Sequence, residues 1–250
     1  MSTIKYRHIE AAEYLINSKY TIATTGAGIS VESGIPPFRG QDGLWSRYNP
    51  IVLDLDYYYS NTIESWKVIK KLFFDFFGSA KPNEAHKVLA RLEEKELLNC
   101  VITQNIDNLH HEAGSKNIIE YHGNSRQMVC MKCADIFAVK NLTLTNEPPK
   151  CPHCSGLLKP DFIFFGEAIP QYAATQSVIE AKKADVVLLI GTTGEVMPAS
   201  FIPEIAKSSG AKIIEINPIP SRFTNRFTDI YIPQKASEAL LRIESIILNK

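Results

Sequence analysis

Short apolar runs alternate with amphipathic stretches along this chain. Apolar residues recur at helical spacing in residues 7–17 and 84–98, so we predict helices there. The runs between and after them are rich in β-branched and apolar residues, as in buried parallel strands, and the run 184–190 is nearly continuously apolar. They occupy residues 20–24, 100–103, 118–121, 184–190 and 212–216. We also predict a strand that ends in a turn at 159–167 and a closing helix at 237–248. This alternation indicates an α/β fold built on a parallel sheet.

A glycine turn, Gly26-Ala27-Gly28, follows the first predicted strand at once. Glycines there let the backbone pass close to a bulky ligand, and a helix beginning near Ser30 would aim its free N–H groups at a phosphate. The dinucleotide fingerprint has a third glycine where this chain has Val31, so an ordinary glycine turn stays an alternative. The next segment, GIPPFRG at residues 34–40, is typical of a lid that closes over a ligand.

Polar residues also follow the other predicted strands. They are Gln104-Asn105-Ile106-Asp107, His122-Gly123-Asn124, Gly191-Thr192-Thr193-Gly194 and Asn217-Pro218. The carboxyl ends of parallel strands share one edge of a sheet, which is where open α/β sheets bind ligands. His122 is therefore a candidate general base, although a lone histidine is more often structural. Asn105 or Asp107, taken alone, fits a helix cap equally well.

Four of the five cysteines form two close pairs. Cys130, Cys133, Cys151 and Cys154 have the spacing C-x2-C-x17-C-x2-C, which is the spacing of a four-thiolate zinc ribbon. A closed shell of four sulfurs leaves no position for water, so we predict one structural zinc rather than a catalytic one. A redox-active pair is the alternative for a single CxxC. Zinc binding would contribute on the order of 10 kcal/mol to the folding of this small module.

Residues 41–82 show aromatic clusters and no clear strand, and we predict a small helical module there. Its aromatics either pack the module against the main domain or line an apolar substrate tunnel.

Composition excludes several classes of function. Lys+Arg and Asp+Glu are both 27, so no global basic field recruits nucleic acid or anionic membrane. The first residues mix charged and apolar positions, unlike a signal peptide, and no apolar run approaches the length of a membrane span. We therefore expect a cytoplasmic protein whose cysteines are not disulfides.

These motifs, in this order, resemble those of sirtuins, the NAD-dependent protein-lysine deacylases. The resemblance covers about residues 10–245 and rests on GAGIS-VESGIPPFRG, TQNIDNLH, YHGN, the four cysteines, FFGE, GTTGEVMPAS and the INP segment. Three residues depart from the usual pattern: Pro37, Thr193 and Gly194. The resemblance implies a doubly wound, parallel, Rossmann-like sheet with a smaller inserted zinc-ribbon plus helical module. The implied division is 1–39, 83–124 and 161–250 for the NAD-binding domain, 40–82 for the helical module with the lid, and 125–160 for the zinc ribbon.

The resemblance also implies roles for particular residues in binding NAD and an acylated lysine peptide. NAD would lie between the two domains, with Phe38 and Arg39 in the lid above it. The implied cofactor-binding residues are Gly26, Ala27, Gly28, Val31, Phe38, Arg39, Gln104, Asn105, Ile106, Asp107, His122, Gly191, Thr192, Thr193, Asn217, Lys235 and Ala236. The substrate peptide would add as a strand between two segments, with contacts from Ile163, Phe165, Gly166, Glu167 and Val196.

The implied reaction is removal of an acetyl or other neutral acyl group from lysine. The acyl oxygen attacks the ribose as nicotinamide leaves, His122 acts as general base with Asn105 as the second catalytic residue, and O-acyl-ADP-ribose and free lysine result. Two alternatives stay open: an ADP-ribosyltransferase or NAD hydrolase on the same scaffold, and a non-catalytic NAD-sensing module. No arginine occurs between Arg47 and Arg91, where desuccinylating sirtuins carry one, so we expect weak desuccinylation.

Overall fold

The computed structural model describes residues 3–38 and 43–250. The strands of these residues are β1 (Thr21–Thr25), β2 (Cys100–Thr103), β3 (Ile118–Glu120), β4 (Gly123–Cys130), β5 (Ile136–Ala138), β6 (Leu158–Phe162), β7 (Val186–Ile190), β8 (Lys212–Ile216) and β9 (Ile230–Ile232). Their α-helices are α1 (Thr3–Asn17), α2 (Leu55–Ser60), α3 (Thr62–Ile69), α4 (Glu84–Glu94), α5 (Leu109–Ala113), α6 (Gln171–Lys183), α7 (Phe201–Ser208) and α8 (Ala236–Leu248).

Six of the strands form one parallel sheet in the order β3-β2-β1-β7-β8-β9. The chain builds outward from β1 to β3 and then crosses to β7 on the other side of β1. The predicted doubly wound sheet is therefore confirmed, and its order reverses between β1 and β7. β9 was not predicted, because three residues carry too little pattern to mark a strand.

Helices cover both faces of this sheet. Successive strand side chains point to opposite faces, so Ala23 packs with α1, α4 and α8, whereas its neighbour Ile22 packs with α6 and α7. The strands are buried along most of their length, which explains their largely apolar and β-branched sequences. The helix predicted over 84–98 ends earlier, at Glu94, and Glu96 lies in the left-handed region with φ 59. Helices α6 and α7 were not predicted.

The remaining strands form a small antiparallel sheet in the order β5-β4-β6. The strand predicted over 159–167 is β6, which begins at Leu158, ends at Phe162 and belongs to this sheet. The small sheet thus spans 123–162, two residues beyond the predicted zinc-ribbon range at each end.

Residues 43–82 contain short helical segments and no strand of either sheet, in agreement with the prediction. A π-helix continues α3 over Lys70–Phe76. Side chains of this module and of the small sheet share one apolar core, in which Trp66 and Phe73 meet Met128 and Phe162. Most of the predicted aromatics therefore serve packing, while Tyr59 and Phe76 lie at the surface.

Among the residues that the structure describes, no helix combines the length and apolarity needed to cross a bilayer.

Candidate functional site

Two glycine turns meet at the carboxyl edge of the large sheet. The Gly26 N–H donates to Ile190 O (3.0 Å), and the Gly28 N–H donates to Gly191 O (2.8 Å). A Cβ on Gly28 would lie 2.6 Å from Gly191 Cα, and Gly191 itself has φ +62. Glycine is thus required here by contact between the two turns, before any ligand is considered. This contact sits where the strand order reverses, which is where open sheets leave a crevice.

The helix after the first glycine turn differs from the prediction. It is a 3₁₀-helix over Ala27–Ser33 that begins at the turn itself, not near Ser30. Ser30 is buried on its inner side and donates to Asp107 Oδ2 (2.6 Å). Val31 points outward, with 45% of its surface exposed.

Asn105 and Asp107 lie buried at the end of β2, beneath this helix. The Asn105 amide donates to Gly26 O (3.1 Å) and Ser30 Oγ (3.2 Å). Asp107 accepts from Ser30 through one oxygen and from the Leu109 N–H (3.0 Å) through the other. Asp107 therefore does contribute to the start of α5, as the helix-cap alternative proposed, and also joins the polar cluster. Burial raises the pKa of its carboxyl.

A buried histidine pair extends this cluster, and sequence reasoning did not find it. The rings of His86 (α4) and His110 (α5) lie 4.9 Å apart, and His110 Nε2 is 2.9 Å from Thr25 Oγ1. Burial lowers the pKa of both, for His86 to about 4, so both imidazoles are neutral at pH 7. The pair depends on the packing of two helices that are distant in sequence.

His122 lies in the two-residue connection between β3 of the large sheet and β4 of the small sheet. Its Nδ1 is 3.0 Å from Gln104 O. A carbonyl oxygen only accepts, so Nδ1 carries the proton and Nε2 is left with a free lone pair. Burial lowers the pKa of His122, and the bond to Gln104 partly offsets this. The next residue must be glycine, because Gly123 has φ +73 and its Cβ would lie 2.2 Å from Asp161 O.

The segment 163–167 runs from the small sheet past His122. The Ile163 N–H donates to His122 O (2.9 Å), and Phe165 exchanges backbone hydrogen bonds with Leu53 and Leu55. Phe165 and Gly166 are exposed, and Val196, on the loop after β7, is 37% exposed. The carboxylate of Glu167 accepts a hydrogen bond from the ammonium of Lys159, with 2.9 Å between Nζ and Oε2.

The residues predicted for the adenosine half gather at the ends of β7, β8 and β9. The Asn217 side chain donates to Thr192 O (2.9 Å), and Gln104 Nε2 lies 3.5 Å from Thr192 Oγ1. Thr193 is exposed. Lys235 is exposed at the start of α8, where Ala236 is buried.

The lid is only partly described. Phe38 packs on Trp45 (5.4 Å between centroids) and on Phe73 (6.4 Å), so it lies against the helical module. Arg39 lies outside the described residues.

The four predicted cysteine ligands come together at the end of the small sheet. Their sulfurs all lie within 4.8 Å of one another, with Cys130 to Cys154 at 3.5 Å and Cys133 to Cys151 at 3.8 Å. In a tetrahedral site with Zn–S bonds of about 2.3 Å, sulfurs lie about 3.8 Å apart. The cluster therefore has the dimensions of a four-thiolate zinc site.

A model of the Sir2 family matches residues 26–198 of this chain. The chain belongs to the Sir2 family. The predicted resemblance is thereby confirmed. A similar Sir2 relative is the NAD-dependent protein deacylase of Pyrococcus furiosus, 45% identical over 94% of this chain and 95% of its own length. The NAD-dependent protein deacetylase 1 of Pyrobaculum aerophilum is 40% identical over 94% of this chain and 92% of its own length.

Solved Sir2 structures share the fold closely. A Sir2 homologue in complex with NAD superimposes with a TM-score of 0.89 at 38% identity, over 96% of this chain and 94% of that one. A Sir2 protein with a deacetylated p53 peptide and 3'-O-acetyl ADP-ribose superimposes with a TM-score of 0.87 at 36% identity, over 94% and 96%.

One departure from the usual Sir2 pattern has a local explanation. Gly194 has φ +76, and a Cβ on it would lie 2.6 Å from the ring of Phe223, which is fully buried. The phenylalanine ring thus fills the space that a larger residue at 194 would need. Nothing in the structure explains Pro37 or Thr193.

Proposed function

We propose that this Sir2 protein removes acetyl groups from protein lysines and consumes NAD as a co-substrate. The observation that carries the proposal is the orientation of His122: its Nδ1 donates to the carbonyl of Gln104, the residue before Asn105, and this leaves Nε2 as a free base. The relatives named above, with the solved complexes that contain NAD or an acetyl-ADP-ribose product, support the same reaction.

The polar groups at the sheet edge fit the chemistry of NAD. When bound, NAD supplies an activated glycosidic bond whose cleavage drives acyl transfer. We infer that the diphosphate passes along Gly26, Ala27 and Gly28. The nicotinamide ribose and carboxamide would meet Gln104, Asn105, Ile106 and Asp107. The adenosine half would meet Val31, Gly191, Thr192, Thr193, Asn217, Lys235 and Ala236, with Phe38 and Arg39 closing the lid.

The cleft would lie between two units, the large parallel sheet with its helices and the combined helical and zinc-ribbon module. We propose the boundaries expected from sequence, except that residues 123–124 and 161–162 go with the zinc-ribbon module, because they belong to β4 and β6 of the small sheet. The acylated peptide would add as a strand between the 163–167 segment and the loop at Val196, since no backbone hydrogen bond of the described residues uses the Gly166 N–H. Zinc at the four cysteines would be structural, because four thiolates complete its coordination.

The deciding experiment is nicotinamide release from NAD with and without an acetyl-lysine peptide. We expect release that requires the acetylated peptide and yields O-acetyl-ADP-ribose and free lysine in equal amounts. Release without peptide would identify an NAD hydrolase, and ADP-ribose attached to protein would identify a transferase. Binding of NAD without any turnover would identify a sensing module.

The pH profile should report on His122. The base must be neutral to accept a proton, and burial lowers its pKa below the ordinary value of 6.5. We therefore expect kcat/KM for the acetyl peptide to decline on the acid side with a slope of one and with a midpoint below pH 6.5. The measurement is a pH–rate profile, controlled by the NAD affinity at each pH. An acid limb centred above 6.5 would contradict the assignment.

Acyl selectivity should favour neutral groups. Between Arg47 and Arg91 the chain offers lysines rather than arginine. Of these, Lys70 is already paired with Asp75 at 2.8 Å, and Lys71 lies over the ring of Tyr48. A partly buried succinyl carboxylate without a partner costs about 2–5 kcal/mol, so kcat/KM should fall at least about 30-fold from acetyl to succinyl peptide. Somewhat longer neutral acyl groups should be tolerated, because each buried methylene gains about 0.8 kcal/mol.

Matched acetyl, butyryl and succinyl peptides of one sequence test this selectivity. Equal kcat/KM for acetyl and succinyl peptides would contradict it. In that case, Lys71→Met compared with Lys67→Met would locate the cation responsible.

A further inference from the structure

Lys159 is a buried lysine to which the proposed chemistry gives no role. It lies on β6 opposite Val129 of β4, and 5% of its surface is exposed. Its ammonium donates to Pro160 O (3.0 Å), Phe162 O (2.8 Å) and Glu167 Oε2 (2.9 Å). An ammonium has three N–H donors, so every one of them is used.

All of these acceptors lie in residues 160–167, the segment that contains the exposed residues Phe165 and Gly166. Nζ also lies 4.3 Å from the centre of the Phe164 ring, a cation–π distance. The same Glu167 oxygen accepts from the Phe164 N–H (2.7 Å), so Lys159 and Glu167 together close a loop around Phe164. A buried ammonium is costly unless it is paired and hydrogen-bonded, and here only this loop conformation supplies the partners.

The loop held in this way is the proposed docking strand for the peptide. Its first residue, Ile163, is hydrogen-bonded to the carbonyl of His122, and its last residue, Glu167, is the one that Lys159 holds. Loss of the ion pair would therefore free the far end of the strand, while the end at His122 and the polar cluster below it would stay in place.

We propose that Lys159 is a positioning residue for the acylated peptide, acting through Glu167 to hold residues 163–167 in the docking conformation. This inference rests on the proposed deacetylase function. Lys159 touches neither the reacting atoms nor the NAD cluster, so its effect should fall on peptide binding and not on the chemical step.

The test is steady-state kinetics of Lys159→Met, Lys159→Arg and Glu167→Gln with an acetyl peptide. We expect Lys159→Met to raise the KM for peptide about tenfold, with the KM for NAD within about twofold of the wild type. Lys159→Arg keeps a buried cation and should recover most of the loss. Lys87→Met is the matched control, because it also removes a lysine paired with a glutamate at 2.8 Å but on an exposed helix.

Each outcome decides the inference. A lower melting temperature with an unchanged peptide KM, or equal changes in both KM values, would show that Lys159 only stabilises the fold. If Lys159→Met does not fold, Glu167→Gln decides, because it replaces the charge-assisted hydrogen bond from Lys159 by a weaker one to a neutral amide. A several-fold rise in peptide KM alone supports the inference, and an unchanged KM overturns it. A wild-type protein without acetyl-peptide-dependent nicotinamide release would instead reject the proposed function itself.

Discussion

Replacing His122 by alanine is expected to abolish deacetylation while leaving the protein folded and able to bind NAD. A positioned general base contributes about 10²–10⁴-fold to a rate, and no other imidazole of the described residues takes the place of its free Nε2. His86 and His110 lie buried beneath the cluster and have depressed pKa values. The fold should survive, since among the described residues the His122 side chain has one hydrogen bond, to Gln104 O. The measurement is peptide-dependent nicotinamide release, with NAD affinity measured separately.

His111→Ala is the matched control for this variant. His111 lies on α5 with 38% of its side chain exposed and contacts Glu120 at 3.3 Å, and it is not among the residues proposed to hold NAD or the peptide. We expect the His111→Ala variant to deacetylate the peptide at the wild-type rate. Turnover of His122→Ala within a few-fold of the wild type would remove His122 from the base role.

The second large effect is expected at the four-cysteine cluster, the proposed zinc site. Cys151→Ala removes one of four sulfurs that lie within 4.8 Å of one another. Bound zinc contributes on the order of 10 kcal/mol to folding, which exceeds the whole stability of many domains. The small sheet shares its core with the helical module, so both should unfold or aggregate together.

Metal analysis and thermal unfolding test this prediction. Wild-type protein should hold one zinc per chain, and a strong chelator should lower its melting temperature. Cys100→Ala is the matched control, because Cys100 is equally buried but lies alone in the core of the large sheet, so zinc content should not change. Active wild-type protein without zinc would show that the cysteines stabilise this module in another way.

The sequence by itself determined most of the large sheet. Five of its six strands could be predicted because helices bury both faces of the sheet, so that their sequences are mostly apolar or β-branched and can be recognised without tertiary information. The cysteine spacing likewise predicted the four-cysteine cluster, because each CxxC pair is a local unit with fixed geometry. The polar strand ends could be placed together for a topological reason: parallel strands end at one edge.

Other features of the site were decided by contacts between residues far apart in the chain. Gly28 and Gly191 must both be glycine, because a Cβ on either one would clash with the backbone of the other. Phe223 fills the space that a side chain at Gly194 would need. His86 and His110 meet only because α4 and α5 pack together. Whether β6 pairs with the zinc-ribbon sheet or the large sheet is not encoded in its own apolar pattern, since either neighbour would bury it.

Lys159 shows this division most clearly. In the sequence it is one lysine before a proline, with nothing to distinguish it from a solvated charge. In the tertiary structure only 5% of the Lys159 surface is exposed, and its ammonium donates to three acceptors, one of which is Glu167. Local periodicity therefore determined which segments are strands and helices. The burial and pairing of charged groups depend on which surfaces meet, and only the folded chain decides that.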